Sequence, residues 1–300
     1  MFDLHYDLLS ILYLCYLKKD FTYINEIKNR FNEQNVKSLI ANLYFMSKDE
    51  MFEECELYGE IDVIEMFKIS TSLYNKYFSH IPCIFSIEGC DYVKISDLET
   101  LYSLGLRNVL LVWNNANIYG SGPRTDNGIT NEGKKFIKKC MELGICIDLS
   151  HANIPTFNGI SELISNYPLV IASHSNIRSL TDVSRNLNDN QILKLKELNG
   201  LLGIVSYKAF LGNGKREANS NDYLEHIKYA VKLLGVGNVC VSSDDMTFDP
   251  MYLNDCIFNY ESIYDETKKL LLSYFDNITV EKILYRNAYN RLNSLLKKEN

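Results

Sequence analysis

Five side chains of the types that bind metal ions stand at or just after short apolar runs. They are His5, Asp7, Glu88, His151 and His174. His5 and Asp7 are two positions apart, which puts both side chains on the same face of a strand. Neutral imidazoles suit zinc, and one carboxylate can hold two cations with its two oxygens. Since two cations about 3.5–4 Å apart can share a hydroxide that attacks a carbonyl, the set predicts a hydrolase with two metal ions.

Asp244 occupies a similar position, two residues after the apolar run 236–242. A carboxylate at a strand end can take the proton of the attacking nucleophile and pass it to the leaving nitrogen. We therefore predict that Asp244 is the catalytic proton shuttle. An aspartate that caps a helix or stabilises a turn is the alternative.

The elements that must position these residues alternate along the chain. Short continuous apolar runs, typical of buried parallel strands, cover residues 81–87, 108–113, 144–149, 169–172, 200–207 and 236–242. Helical spacing covers residues 96–104, 131–143, 158–166, 188–198 and 221–234. Thr130, Ser161 and Asn188 supply N-cap chemistry for helices in this set.

Alternating strands and helices predict βαβ units on a parallel sheet, which is either a closed barrel or a doubly wound sheet. Barrels carry their chemistry at the C-terminal ends of several strands, and the metal-ligand candidates follow that pattern. We therefore predict an α/β fold of the (β/α)₈ TIM-like barrel type. No Ser-, Gly- or Pro-rich linker interrupts the sequence, so residues 1–300 are predicted to form a single domain.

Composition and the N-terminal run bear on partners and location. The net charge of −7 and the pI near 5.4 argue against nucleic acid, because binding a polyanion needs clustered basic residues. The apolar run 8–17 follows acidic residues, lacks a cleavage site and is shorter than the ~20 residues of a membrane span. Eight cysteines without a C-x-x-C pair are typical of free thiols in a reducing compartment. We predict a cytoplasmic protein with no nucleic-acid and no membrane partner.

Two further histidines are not predicted to bind metal. His80 precedes an apolar run, which is the wrong end of a strand for catalysis in a barrel. His226 lies on an amphipathic stretch and is predicted to be a helix-surface or helix-packing residue.

Several segments resemble, in order and spacing, motifs of the membrane dipeptidase (renal dipeptidase) family of zinc metallopeptidases. The segments are residues 88–89, 101–107, 110–115, 148–151, 173–176 and 185–187, and the resemblance runs from about residue 3 to residue 292. It implies an amidohydrolase-type barrel of the metal-dependent hydrolase type. It also implies an enzyme that hydrolyses the peptide bond of dipeptides, L,D-dipeptides included, and a homodimer.

The resemblance further implies the ligand sets of two Zn²⁺ ions per chain. One ion would be held by His5, Asp7 and Glu88. The other would be held by Glu88, His151 and His174, so that Glu88 bridges the pair. A hydroxide between the two ions would then attack the substrate carbonyl.

Other positions match the family's catalytic and substrate-binding residues. Asp244 matches the first aspartate of the family's S-D-F-D-G segment, which implies the proton-shuttling role. Arg185, eleven residues after His174, matches an arginine that grips the C-terminal carboxylate of the substrate, a task suited to a guanidinium fork. Tyr207 matches a tyrosine that contacts the same carboxylate. Trp113 stands where animal enzymes have a histidine that contacts substrate.

The segment after Asp244 departs from the family pattern. It reads Asp245-Met246-Thr247, so the family's second aspartate and glycine are displaced or absent. Two alternatives therefore stay open. The same barrel and metals could hydrolyse another amide or a lactam, because fold and metals do not fix the substrate. A barrel that has lost catalysis could instead serve as a binding protein.

Overall fold

Eight parallel strands form one sheet in which neighbours follow chain order. The computed structural model describes residues 1–45, 61–212, 217–245, 256–259 and 261–297. The strands are β1 (Phe2–Tyr6), β2 (Ser38–Tyr44), β3 (Cys83–Glu88), β4 (Leu106–Leu110), β5 (Cys146–Asp148), β6 (Val170–Ala172), β7 (Leu201–Val205) and β8 (Val239–Ser242). Where β8 meets β1, the Asp244 N–H donates to the His5 carbonyl at 3.0 Å, and the Asp7 N–H donates to the Asp245 carbonyl at 3.3 Å. The sheet thereby curls back on itself, and the predicted (β/α)₈ barrel is confirmed.

Helices connect the strands and continue after the last one. They are α1 (Leu8–Lys18), α2 (Thr22–Glu33), α3 (Val63–Phe78), α4 (Leu98–Ser103), α5 (Asn131–Leu143), α6 (Ile154–Leu163), α7 (Asp189–Glu197), α8 (Ser220–Leu234), α9 (Ile263–Leu272), α10 (Asn277–Glu281) and α11 (Asn287–Leu292). A π-helical stretch, Lys282–Arg286, joins α10 to α11. Within the described residues, no helix has both the length and the apolar character that crossing a bilayer requires.

Helix starts show how local chemistry sets the elements. The predicted caps Thr130 and Asn188 begin α5 and α7. The third predicted cap, Ser161, is wrong, because it is buried inside α6. That helix begins earlier, where the Asn153 side chain accepts the Thr156 N–H at 2.9 Å. Pro155 favours this start, since the first turn of a helix leaves its N–H groups unbonded anyway.

The N-terminal part of the chain holds elements that the sequence pattern did not reveal. The run 8–17 belongs to α1, which packs against β2 and α3. A helix covered on several sides has no continuous polar face, so its periodicity is weak. The strand β2 was not predicted either. It is buried on both faces, so polar and apolar residues do not alternate, and Asn42 interrupts its apolar run.

An apolar floor closes the end of the barrel at which the strands begin. Side chains from early positions of the strands fill this part of the interior: Phe2, Leu4, Ile40, Ile84, Cys146, Ile171, Leu201 and Cys240. Leu292 of α11 and the following Leu295 and Leu296 pack beneath them. The Lys297 N–H donates to the Cys83 carbonyl at 2.8 Å, which connects the C-terminal part of the floor to β3. The polar strand ends therefore gather at the opposite end.

Candidate active site

A cavity of about 450 Å³ opens at the C-terminal ends of the strands, a volume suited to a small ligand. Its lining includes these predicted site residues: Asp7, Glu88, Trp113, His151, Arg185, Tyr207 and Asp244. The two other predicted ligands, His5 and His174, are buried, and their rings are tilted by 37° with centroids 3.8 Å apart. The structure thus brings together every side chain that the sequence assigned to the site.

Glu88, the last residue of β3, lies at the centre of the cluster. Its Oε2 is 3.1 Å from Nε2 of His5, and its Oε1 is 2.8 Å from Nε2 of His151 and 3.5 Å from Nε2 of His174. The two oxygens of this carboxylate therefore face different histidines. Asp7 joins the His5 side, with its Oδ1 3.7 Å from Nε2 of His5. This arrangement matches a carboxylate that bridges two cations.

The imidazoles are oriented by hydrogen bonds at their other ring nitrogens. Nδ1 of His151 lies 3.2 Å from Oδ1 of Asn114, and Nδ1 of His174 lies 2.8 Å from Oγ of Ser173. An Nδ1–H donated to the Asn114 oxygen leaves the Nε2 lone pair of His151 directed at Glu88. The Ser173 N–H in turn donates to Oδ1 of Asp148 at 3.0 Å. Partners of this kind fix the tautomer and the ring angle of metal-binding histidines.

The pKa shifts favour the cation-binding forms of Glu88, His151 and His174. Although burial opposes ionisation, His151, His5 and His174 together keep the pKa of Glu88 well below its usual range. Burial lowers the pKa of His151 to about 4, and Arg185 acts in the same direction. Burial and His5 likewise lower the pKa of His174. A carboxylate anion and neutral imidazoles are the protonation states that coordinate metal. His5 is the exception: although burial opposes its charge, the Glu88 and Asp7 carboxylates raise its pKa well above the usual range, so a bound cation would have to displace a proton from it.

Buried polar atoms that lack a hydrogen-bond partner also indicate that these residues fit metal ions. Nε2 of His5 and Oε1 of Glu88 are buried and make no hydrogen bond to any described residue. Nε2 of His151 and Nε2 of His174 face each other at 2.9 Å. Two neutral imidazoles oriented by Nδ1 partners cannot satisfy each other across such a contact. In the described parts of the chain, the groups that could hold an ion are Glu88 with His151 and His174, His5 with Asp7 and Glu88, and His5 with His174 and Asp244.

Asp244 lies over the cluster on the cavity side. Its Oδ1 is 3.8 Å from Nε2 of His5 and 3.9 Å from Nε2 of His174. Desolvation raises the pKa of Asp244 to about 7, and the Asp7 and Glu88 carboxylates act in the same direction. Its backbone is left-handed, with φ of 53°. A non-glycine residue held in that region costs conformational energy and persists where its surroundings fix it.

The neighbours of Asp244 on both sides hold its backbone in this conformation. Asp245 is buried, and its Oδ2 accepts a hydrogen bond from Nη1 of Arg30, on α2, at 2.8 Å. On the other side, Ser243 donates from its N–H and its hydroxyl to the carboxylate of Asp3. Asp244 is therefore held between two anchored neighbours. Met246 and Thr247, where the segment departs from the expected motif, lie outside the described residues.

Arg185 reaches the cavity from the loop after β6. Its Nη1 donates to Oγ of Ser175 at 3.0 Å, and its Nη2 donates to the His174 carbonyl at 2.7 Å. Its Nε is buried and has no hydrogen-bond partner among the described residues. The guanidinium also lies 5.6 Å from the ring centroid of Phe210. A fixed cation on the wall of the cavity is suited to a substrate carboxylate.

Aromatic rings line the remaining walls of the cavity. Trp113 packs edge-on against Tyr44 with centroids 5.1 Å apart, and it lies 6.2 Å from the ring of His151. Tyr207 packs against Phe210 at 4.7 Å. Trp113 and Tyr207 thus both line the cavity.

Sequence reasoning missed Asn42, a fully buried residue of β2. Its Nδ2 donates to Oδ1 of Asp7 at 2.8 Å and to Oε2 of Glu88 at 2.8 Å. A strand prediction over 38–44 would have brought Asn42 to attention, because β2 lies between the strands that carry His5 and Glu88. His80 and His226 lie outside the groups of described residues that could hold an ion.

A comparison with models of known families gives a match to the membrane dipeptidase family, peptidase family M19, over residues 64–294. The chain belongs to the membrane dipeptidase family. Membership confirms the predicted family and the predicted class of enzyme, a hydrolase of peptide bonds. A solved member of family M19 is a metallopeptidase, in agreement with the predicted metal cofactor.

Related proteins share part of the sequence. An uncharacterised protein from the pqqA 5′ region of Klebsiella pneumoniae is 32% identical over 202 residues, which cover 64% of this chain and 73% of that protein. A dipeptidase of Aspergillus oryzae is 28% identical over 204 residues, which cover 64% of this chain and 48% of that protein. The chain thus spans about half the length of this fungal relative.

Solved structures share the whole fold of the membrane dipeptidase chain. A dipeptidase of family M19 superposes with a TM-score of 0.75 at 22% identity, covering 97% of each chain. A metallopeptidase from Rhodobacter sphaeroides, solved with a phosphinate mimic of L-Ala-D-Ala, superposes with a TM-score of 0.76 at 21% identity, covering 97% of this chain and 98% of that chain. At these identities the likeness concerns the barrel.

Proposed function

We propose that this member of the membrane dipeptidase family is a zinc-dependent dipeptidase that uses two Zn²⁺ ions per chain. The observation that carries the proposal is the Glu88 carboxylate, whose two oxygens face His5 on one side and His151 with His174 on the other. One ion would be held by His5, Asp7 and Glu88, and the other by Glu88, His151 and His174. When bound, the ions would lower the pKa of a water molecule between them and polarise the substrate carbonyl.

The protein's own residues supply substrate binding and proton transfer. Arg185 would hold the C-terminal carboxylate of the dipeptide with its guanidinium, which lines the cavity, and orient the scissile bond toward the cluster. Asp244 would accept the proton of the attacking nucleophile and deliver it to the leaving amine. Desolvation raises the pKa of Asp244 in the metal-free site, and cations bound beside it would lower that pKa. Trp113 and Tyr207 would exclude water around the substrate.

L,D-dipeptides belong in the proposed substrate range. The Rhodobacter sphaeroides metallopeptidase binds a mimic of L-Ala-D-Ala in a barrel of the same fold. A panel of L,L-dipeptides, L,D-dipeptides and β-lactams separates this proposal from the alternative of another amide or lactam. Turnover of β-lactams with none of dipeptides would favour that alternative.

Replacing Asp244 by Asn tests the catalytic assignment. We expect bound zinc to stay near the wild-type amount and kcat to fall by about 10²–10⁴, the usual contribution of general acid–base catalysis. Zinc is measured by elemental analysis of the same sample that is assayed. Unchanged turnover would remove Asp244 from the mechanism, and a wild-type chain that binds no zinc would favour the binding-protein alternative.

A further inference from the structure

Among the described residues, Asn42 is the one β2 side chain that hydrogen-bonds to the cluster of candidate metal ligands, called the polar centre below. It is fully buried, and β2 pairs with β1 on one side and β3 on the other. The strand therefore lies between His5 with Asp7 at the end of β1 and Glu88 at the end of β3. Its Nδ2 lies 2.8 Å from Oδ1 of Asp7 and 2.8 Å from Oε2 of Glu88.

The chemistry of the amide fits this place closely. A primary amide nitrogen carries two hydrogens, and each one of Asn42 has its own carboxylate acceptor. The reverse orientation would place Oδ1 against two anions, so the carboxylates determine which way the amide points. Oδ1 of Asn42 is buried without a hydrogen-bond partner among the described residues. An unsatisfied buried oxygen costs free energy, which indicates that the orientation of the side chain is set by the carboxylates.

Both acceptor oxygens belong to one half of the centre. Oε2 of Glu88 is the oxygen that faces His5, whereas Oε1 faces His151 and His174. The amide therefore touches the half formed by His5, Asp7 and Glu88. We infer that Asn42 is a positioning residue for that half, which holds the two carboxylates together and directs their remaining lone pairs at the ion bound there.

This inference rests on the proposed two-zinc centre. Asp7 and Glu88 are like charges brought together in a buried site, and they repel each other until a cation binds. Two N–H donors between them offset part of that repulsion and preserve the ligand geometry. Removing a polar partner of metal ligands typically costs 10- to 100-fold in metal affinity. The loss should fall on one ion and spare the other.

Asn42→Leu tests the inference, because leucine has a similar volume and no donor. A matched control is Asn108→Leu. Asn108 is also fully buried inside the barrel and also has an unpartnered Oδ1 among the described residues. Its Nδ2 donates to Ser86 at 2.9 Å and, at the long distance of 3.5 Å, to Asp148, and neither of these is a ligand candidate. Zinc is titrated into metal-free protein against a chromophoric chelator, which gives the two stepwise affinities without any activity measurement.

We expect Asn42→Leu to bind one zinc as the wild type does and the other 10- to 100-fold more weakly. Asn108→Leu should keep both affinities. The absorption spectrum of the half-loaded Co²⁺ form should identify the retained ion as the one with two histidine ligands. If Asn42→Leu does not fold, Asn42→Ala is expected to show the same selective loss.

Two results would overturn the inference: unchanged affinities for both ions, or an equal loss at both. A wild-type chain that binds fewer than two zinc ions would instead overturn the two-zinc proposal. The failure of one proposal is thus distinguishable from the failure of the other.

Discussion

The environment of His226 predicts how the free energy of unfolding depends on pH. Only 1% of this α8 residue is exposed, and its Nδ1 accepts the Ile177 N–H at 3.0 Å. The proton of the neutral ring is therefore on Nε2, which lies 3.3 Å from Oγ1 of Thr181. Both contacts fasten α8 to the loop that carries Arg185. Protonation of Nδ1 would break the first contact, and burial lowers the pKa of His226 to about 4.

The direction and size of the effect follow from the two pKa values. A histidine in the unfolded chain has a pKa of about 6.5. Below that pH the unfolded chain takes up a proton that folded His226 does not accept until about pH 4. The free energy of unfolding therefore falls as pH falls through this window, whereas well above pH 6.5 this group adds no pH dependence. By pH 4.5 the loss from His226 is about 2.5 kcal/mol.

The variant His226→Asn isolates this contribution. An asparagine oxygen can still accept the Ile177 N–H, but the side chain does not titrate. At pH 7.5 we expect the wild type to be the more stable by about 1 kcal/mol, the value of one neutral hydrogen bond to Thr181. At pH 4.5 the order should reverse. Urea unfolding of both metal-free proteins at several pH values measures the difference, and a difference that stays constant from pH 7.5 to pH 4.5 would refute the reasoning.

Two further substitutions address the substrate carboxylate and the support of Asp244. Arg185→Lys should raise KM for dipeptides by about tenfold or more with a smaller change in kcat, because a point charge replaces the planar fork; an unaltered KM would exclude a carboxylate clamp. Arg30→Met should lower the free energy of unfolding in urea by about 3 kcal/mol, because it removes the cation that faces buried Asp245. It should also lower kcat, because Asp244 would be displaced. Wild-type stability in Arg30→Met would show that this ion pair does not hold the loop.

The sequence predicted the candidate site better than it predicted the elements. Residue types decide metal chemistry, and a parallel barrel gathers all its strand ends at one mouth, so Glu88 and His151 could be placed together from residues far apart in the chain. The role of Asn42 could not be predicted. An asparagine has no distinctive chemistry until two carboxylates are known to flank it, and that requires the order of the strands.

Two of the elements that escaped prediction share a physical cause. The buried helix α1 and the strand β2 lie where apolar residues face several neighbours, so a single-face periodicity is absent. The start of α6 was misplaced because Ser161 has cap chemistry but lies within the helix, whereas Asn153 supplies the cap. Tertiary packing decides between such candidates, and that packing cannot be inferred from a single sequence.

The apolar floor separates two properties of the protein that selection can act on independently. Leu292, Leu295 and Leu296 close one end of the barrel, and the polar centre occupies the other end. Substitutions that repack the floor can therefore raise or lower thermal tolerance while the walls of the cavity stay unchanged. A directed-evolution library confined to the floor would provide variants with a higher free energy of unfolding. Such variants could tolerate destabilising substitutions in the cavity wall that change substrate preference.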